Sequence, residues 1–222
     1  MNIEYIIELS NKKSIYYGID IDRKHDIIIL KSKPSDWTDL DHHKCPVCTL
    51  DSAKHRYCPA ALDIKDILTV FSKIKSYELV KVTVNTNERT YFKECDAQTA
   101  LGSILGVVLA SSQCPILSKF KPMAYFHLPF PSYEESLTRT MGFFLINEHI
   151  KSLKGEKPDI ELNGLYQHYK DMEQINFSLK KRISKTGIED SNINSIVNFF
   201  ALSSLIKDSI SEQIEDIKQF FE

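Results

Sequence analysis

One short segment, HHKCPVCTLDSAKHRYCPA at residues 42–60, limits what this chain can fold into more than any other part of it. It contains three cysteines, three histidines and two prolines. It belongs to an irregular stretch that runs from about residue 31 to residue 58. A loop of that length is unusual in a compact domain unless something holds it in place. A metal ion bound by thiolate or imidazole groups would do so.

The cysteines have local features that suit metal binding. Cys45 and Cys48 form a C-x2-C pair, which lets two thiolates reach one metal ion from a single turn. Cys58 follows after nine intervening residues, and Cys114 lies far along the chain. Proline follows Cys45, Cys58 and Cys114, and proline is favoured at the first position of a helix. We therefore predict that Cys58 and Cys114 are helix N-caps, where free N–H groups and the helix dipole favour the thiolate.

These features predict a metal site with four cysteine ligands: Cys45, Cys48, Cys58 and Cys114. A histidine could replace one of them, and the candidates are His42, His43, His55 and His127. Sulfur-rich ligands without a carboxylate fit a closed structural zinc site. An iron–sulfur cluster is the alternative, because ferredoxin-type motifs also pair cysteine with proline. Cys95 ends a predicted strand and is expected to be a small core residue.

The pattern H-x2-C-x2-C…YCPAA, together with S-x-CP…KPMAYFHLPF, resembles an uncharacterised bacterial family of hypothetical proteins. The resemblance covers roughly residues 37–150. Where the family has a CPL element, this chain has Cys48-Thr49-Leu50. The resemblance implies the cysteine set and no activity. The matching positions are His42 or His43, Cys45, Cys48, Cys58, Cys114, Pro122, Met123 and His127.

Charge and hydropathy limit the partners and the compartment. Lysine and arginine total 28 and the acidic residues total 30, so the formal net charge is −2. Such a balance predicts neither a nucleic-acid partner nor an anionic membrane. The most apolar run, residues 100–110, is shorter than the roughly 20 residues that span a bilayer, and the first residues lack the order of a signal peptide. We expect a cytoplasmic protein, in which five cysteines indicate metal binding or free thiols.

Apolar periodicity predicts an α+β fold, with an antiparallel sheet followed by helices. Period-two alternation predicts strands at residues 3–9, 15–21 and 27–30, and a hairpin at 79–93. Helical spacing and capping residues predict helices at residues 59–75, 96–111, 132–153, 162–183 and 193–221. Gly187 ends the fourth, and the pattern of the last allows a break. The change in pattern divides the chain into an α+β metal-binding domain, residues 1–130, and a helical region, residues 131–222.

Two apolar helix faces need partners. Gly102, Gly106 and Ala110 recur at four-residue spacing, which predicts close packing of that helix against the sheet. In the last helix, a stripe of apolar residues predicts packing on the helix at 162–183, and a homodimer is the alternative. The stripe consists of Ile206, Ile210, Ile214, Ile217 and Phe221.

The function predicted from these features is non-catalytic. Four cysteines around a metal leave no position for water or substrate, so we predict a metal-stabilised binding or regulatory module with an unknown protein partner. The alternative is a metal-dependent enzyme, either an iron–sulfur redox protein or a hydrolase that uses His127 and Glu135. Glu135 also completes a capping box with Ser132, which is an ordinary structural use of the same side chain.

Overall fold

The computed structural model describes residues 1–23, 35–184, 190–212 and 214–221. The predicted strand at residues 27–30 and the predicted helix end at Gly187 lie outside these residues.

The sheet has four antiparallel strands in the order β2-β1-β3-β4. Ile3, Tyr5 and Ile7 of β1 are fully buried, and the residues between them are more exposed. This alternation packs one face of the sheet on the core and leaves the other to solvent, as is common for antiparallel sheets. The predicted strands at residues 3–9 and 15–21 and the predicted hairpin are therefore confirmed. The strands are β1 (Asn2–Glu8), β2 (Ser14–Asp20), β3 (Leu79–Asn85) and β4 (Thr90–Asp96).

The first α-helix lies between the second and third strands, the others follow the fourth strand, and helices cover the buried face of the sheet. The Asp96 carboxylate accepts the Thr99 N–H at 2.8 Å and caps the second helix. Ser132 and Glu135 form the predicted capping box at the start of the fourth. The helices are α1 (Pro59–Phe71), α2 (Ala97–Ala110), α3 (Lys121–Tyr125), α4 (Tyr133–Leu153), α5 (Asn163–Ile183), α6 (Asp190–Ser211) and α7 (Glu215–Lys218).

The C-terminal helices pack within the same chain. Lys207 of α6 and Glu173 of α5 form an ion pair at 2.6 Å. Ile206, Ile210 and Ile217 are buried, so most of the apolar stripe is already covered. Ile214 has a left-handed backbone with φ of 59°, which separates α6 from α7. The expected packing on α5 is present, and the homodimer stays a prediction.

One hydrophobic core joins the sheet to the helices. It runs from the buried residues of β1 and β3, through α1 and α2, to the inner faces of α5 and α6. The proposed division at residue 130 does not interrupt this core, and two domains stay a prediction. Within the described ranges, no helix combines the length and apolar character needed to cross a membrane.

Candidate metal centre

The cysteine-rich loop is closed at its base by two backbone hydrogen bonds. The Cys58 N–H donates to the Thr38 carbonyl at 2.8 Å, and the Leu40 N–H donates to the Arg56 carbonyl at 2.8 Å. These bonds hold the two ends of the loop side by side just before α1. Cys45 and Cys48 lie inside the closed loop, in a turn where the Cys48 N–H donates to the Cys45 carbonyl at 3.0 Å.

Arg182, near the end of α5, clamps the same loop base. Its guanidinium donates to the carbonyls of Trp37 at 2.9 Å, Asp39 at 2.6 Å and Leu40 at 2.9 Å. The side chain is fully buried. Among the residues that the structure describes, no carboxylate forms an ion pair with it. A buried charge without a counter-charge is costly, so an anionic group close to Arg182 would be favoured. No motif in the sequence marks Arg182.

The cysteines predicted as ligands interact electrostatically with one another, and two of them, Cys45 and Cys58, also interact with Arg182. Charge on Cys58 or Cys48 raises the pKa of the Cys45 thiol, and Arg182 lowers it. Arg182 also lowers the pKa of Cys58, and Cys48 raises it. Charge on Cys58 or Cys45 raises the pKa of Cys114. The fold therefore brings the loop, the start of α1 and the segment after α2 close enough for their thiols to influence each other.

The helix-cap prediction is confirmed for Cys58 and wrong for Cys114. Cys58 is the N-cap of α1. Cys114 precedes only a 3-10 turn, Leu117–Phe120, whose cap is Ile116. The backbone N–H groups of Ile116 and Leu117 still lower the pKa of the Cys114 thiol.

The predicted thiolate character of these cysteines is also wrong for the metal-free chain. Burial raises the pKa of Cys45 and Cys58, and it raises the pKa of Cys114 to about 11. Desolvation disfavours the charged sulfur more than the local N–H groups favour it. The thiols are therefore protonated at neutral pH, and a metal ion would have to displace their protons.

The donor types fit a thiolate-binding metal, whereas the atomic arrangement is not that of a finished site. Over residues 1–23, 35–184, 190–212 and 214–221, no three His, Cys, Asp or Glu side chains are placed to hold one ion. The sulfur atoms would have to converge before they could share a metal. Ser178 of α5, a neighbour that the sequence did not indicate, lowers the pKa of the Cys45 thiol against the larger effect of burial.

The histidines proposed as substitute ligands have different surroundings. The Nε2 atom of His42 is buried and has no hydrogen-bond partner in the described part of the chain. The His42 ring meets the edge of the His43 ring, with centroids 4.8 Å apart. His55 is exposed. Because a buried polar atom without a partner is unfavourable, His42 is the histidine that the structure favours as a ligand.

His127 belongs to a different hydrogen-bonded group. Its Nε2 atom lies 2.6 Å from the Tyr5 hydroxyl, which lies 2.7 Å from the Ser103 hydroxyl. Burial, and then the charge of Arg139, lower the pKa of His127 to about 3. The imidazole is therefore neutral at neutral pH. Its Nε2 atom is engaged with the Tyr5 hydroxyl.

Glu135 does not act on His127 as a catalytic partner in this structure. Its carboxylate accepts the Ser132 N–H at 2.7 Å, as part of the capping box. Within the described residues, no hydrogen bond joins Glu135 to His127. The pair proposed for a hydrolase is therefore near in sequence but not assembled, and the enzyme alternative stays a prediction.

His127 also lines a cavity of about 280 Å³. The cavity lies between α2, the segment that follows it, and the C-terminal helices. Gly102, Gly106 and Ala110 line one wall. The prediction that this stripe packs closely against the sheet is wrong for Gly102, where an added Cβ would meet no atom within 4 Å.

The neutral, buried His127 predicts a pH dependence of stability. The unfolded chain takes up a proton below the ordinary histidine pKa of 6.5, whereas the folded chain resists it down to about 3. The contribution of the neutral His127 to the free energy of unfolding is therefore fully present above pH 6.5, and it is lost as the pH falls from 6.5 toward 3. We expect the free energy of unfolding to fall by about 2 kcal/mol more between pH 7 and pH 5 in the wild type than in His127→Gln.

Urea denaturation at the two pH values measures this difference. His149→Gln, which replaces an exposed histidine of α4, is the control. Its free energy of unfolding should fall between pH 7 and pH 5 by as much as that of the wild type. An equal fall in the free energy of unfolding in His127→Gln and the wild type would show that the pKa of His127 is not lowered in the folded protein.

An antiparallel sheet covered by helices, with interacting thiols held at the base of a long loop, defines an α+β protein with a candidate cysteine metal site. The chain belongs to the family described as a domain of unknown function (DUF6901), whose model matches residues 3–222. This confirms the resemblance to a family without an assigned function; the motif and the bacterial origin stay predictions. Comparison with curated proteins and with solved structures gave no match.

Proposed function

We propose that this protein is a zinc-stabilised binding module, in which Cys45, Cys48, Cys58 and Cys114 hold one structural zinc ion. The observation that carries the proposal is the electrostatic interaction among these thiols, two of which, Cys45 and Cys58, also interact with the buried Arg182. Four thiolates outnumber the charges of a zinc ion, so the resulting site is anionic. Arg182 would then have the counter-charge that it lacks among the described residues.

The proposed ion has a structural role because of where its ligands lie. Cys45 and Cys48 come from the loop, Cys58 begins α1, and Cys114 follows α2. Zinc bound by four sulfur atoms supplies cross-links and leaves no open coordination position. Such a site would hold the loop on the helices without taking part in catalysis. The module would then act by binding a protein partner.

Metal analysis tests this proposal directly. We expect protein purified without chelators or air to contain about one zinc per chain and to be colourless. Any Cys48→Ser protein that stays soluble should lack most of the zinc, because one thiolate ligand is removed. Cys95→Ser is the matched control and should keep it, since Cys95 lies in β4 next to Asp96. Mass spectrometry of the metal and a visible spectrum give both results.

Two outcomes would contradict the zinc site. A brown protein that contains iron and sulfide would favour the iron–sulfur alternative. Suppose that protein purified with added zinc is fully folded and contains no metal. The chain would then have no structural metal ion. If His42→Gln lost zinc while Cys114→Ser kept it, the zinc site would stand, with His42 as a ligand in place of Cys114.

A further inference from the structure

The cavity beside α2 contains a cation without an acidic partner. Arg139 of α4 lines the cavity and is partly buried. One guanidinium nitrogen donates to the backbone carbonyls of Phe126 and Met123. No carboxylate in the described residues forms an ion pair with Arg139, and Glu135, whose charge raises the pKa of Arg139 against the larger effect of burial, is engaged in the helix cap. The remaining guanidinium donors are therefore available to an anion.

The rest of the cavity wall is mainly apolar. Leu117, Phe120, Met172 and Ile206 contribute side chains that pack against it. A Cβ added at Gly102 would meet no atom within 4 Å, so the space next to α2 is open. A long aliphatic group would replace water there and gain burial free energy in proportion to the apolar area covered.

The polar atoms of the cavity apart from Arg139 are uncharged. Ser103 and His127 line it and are linked through the Tyr5 hydroxyl. Burial keeps the pKa of Tyr5 above its ordinary range and that of His127 far below it. Both groups are therefore neutral at neutral pH. They can accept or donate a hydrogen bond, and Arg139 alone of these groups supplies charge.

The volume limits the size of the occupant. A cavity of roughly 150 Å³ holds a molecule the size of benzene, and pockets for drug-sized ligands start at roughly 300 Å³. At about 280 Å³, this cavity suits a molecule with about twice as many heavy atoms as benzene. A folded partner or a helix would not fit.

We propose that this cavity binds a small amphipathic carboxylate, such as a medium-chain fatty acid. The carboxylate lies on the free donors of Arg139, and the aliphatic chain lies along the Gly102 and Gly106 face of α2. A charged partner for a partly buried guanidinium is worth more than a neutral one, which makes the carboxylate the part of the ligand that gives specificity. The inference does not depend on the zinc site, whose ligands lie elsewhere in the chain.

Calorimetric titration of the full chain with decanoate at neutral pH tests the inference. We expect one saturable site in the wild type. Decanol, which has the same chain and no charge, should bind about tenfold more weakly or worse, because it cannot pair with the guanidinium. Decyltrimethylammonium should not bind at this site, since its charge repels Arg139. This comparison of ligands requires no variant and so does not depend on folding.

Variants then locate the site. Arg139→Gln should weaken decanoate binding about tenfold or more, and the matched control Arg89→Gln, on the exposed β3–β4 turn, should leave it unchanged. Gly102→Leu should abolish binding by filling the open space. Circular dichroism and zinc content of each variant separate lost binding from lost folding or lost metal.

Three results would overturn the inference. They are the absence of saturable decanoate binding, equal affinity for decanol and decanoate, and binding that survives in folded Gly102→Leu. The two proposals can fail separately. Protein that contains no zinc and still binds decanoate would contradict the structural zinc ion and support the ligand site.

Discussion

Cys58→Ser is expected to yield insoluble or largely unfolded protein. Binding of a structural zinc ion contributes directly to folding, on the order of 10 kcal/mol in small zinc peptides. Typical domains have a free energy of unfolding of only about 5–15 kcal/mol. Losing a metal ligand would therefore remove much of that free energy. Cys45→Ser and Cys48→Ser should have the same effect, because each removes one ligand of the same ion.

The position of Cys58 makes this a sharp test of metal binding. Cys58 is the N-cap of α1, and serine is among the best N-cap residues. Serine is also close to cysteine in size. Without a metal, the substitution should therefore cost little. A large loss of stability in Cys58→Ser would have to come from the sulfur as a ligand.

Cys95→Ser is the control for the same chemical change outside the site. Cys95 lies in β4 and is partly buried, so we expect a loss of about 1–2 kcal/mol, as for an ordinary core substitution. Thermal unfolding of the soluble variants, with and without added zinc, gives the comparison. Equal melting temperatures for Cys58→Ser, Cys48→Ser and Cys95→Ser would rule out a structural site.

Local signals in the sequence predicted the elements of the fold. The alternation of Ile3, Tyr5 and Ile7 fixes which face of β1 is buried, and it needs only neighbouring residues to be recognised. The caps at Asp96 and Ser132 act on N–H groups two or three residues away. Pro59 marks the start of α1 in the same way. These features were predicted because the interactions that create them are short in sequence.

The surroundings of the candidate site depend on contacts that are long in sequence. Arg182 meets the loop base more than 140 residues away. A partial signal existed, because Arg182 lies three residues after Leu179 and seven after Ile175, on the apolar face of α5. A charge on that face must find buried acceptors. The sequence does not indicate which carbonyls supply them.

Two errors in the sequence analysis have one physical cause. The thiols of Cys58 and Cys114 were expected to ionise easily, and burial raises their pKa. The Gly102 and Gly106 face of α2 was expected to pack closely, and it lines a cavity. Both depend on how densely distant segments surround a group. Local sequence patterns do not carry that information.

Arg182→Met is expected to lower the free energy of unfolding by about 4 kcal/mol. Methionine keeps an unbranched apolar stem and removes the guanidinium donors. The carbonyls of Trp37, Asp39 and Leu40 would then lose a charged partner while buried, at about 1–3 kcal/mol for each group left unsatisfied. Local relaxation and water entry recover part of that sum. Urea denaturation measures the loss, and Lys181→Met, which replaces an exposed neighbour on α5, should stay within about 0.5 kcal/mol of the wild type.

A second measurement on the same variant connects Arg182 to the proposed metal. If the buried guanidinium offsets the negative charge of a zinc–thiolate site, its removal should weaken that site as well as the loop base. We expect a chelator to extract zinc faster from Arg182→Met than from the wild type, and at the wild-type rate from Lys181→Met. Destabilisation without faster zinc release would limit Arg182 to holding the loop. A loss below about 1 kcal/mol, the net worth of one ordinary hydrogen bond, would mean that the loop base does not depend on Arg182.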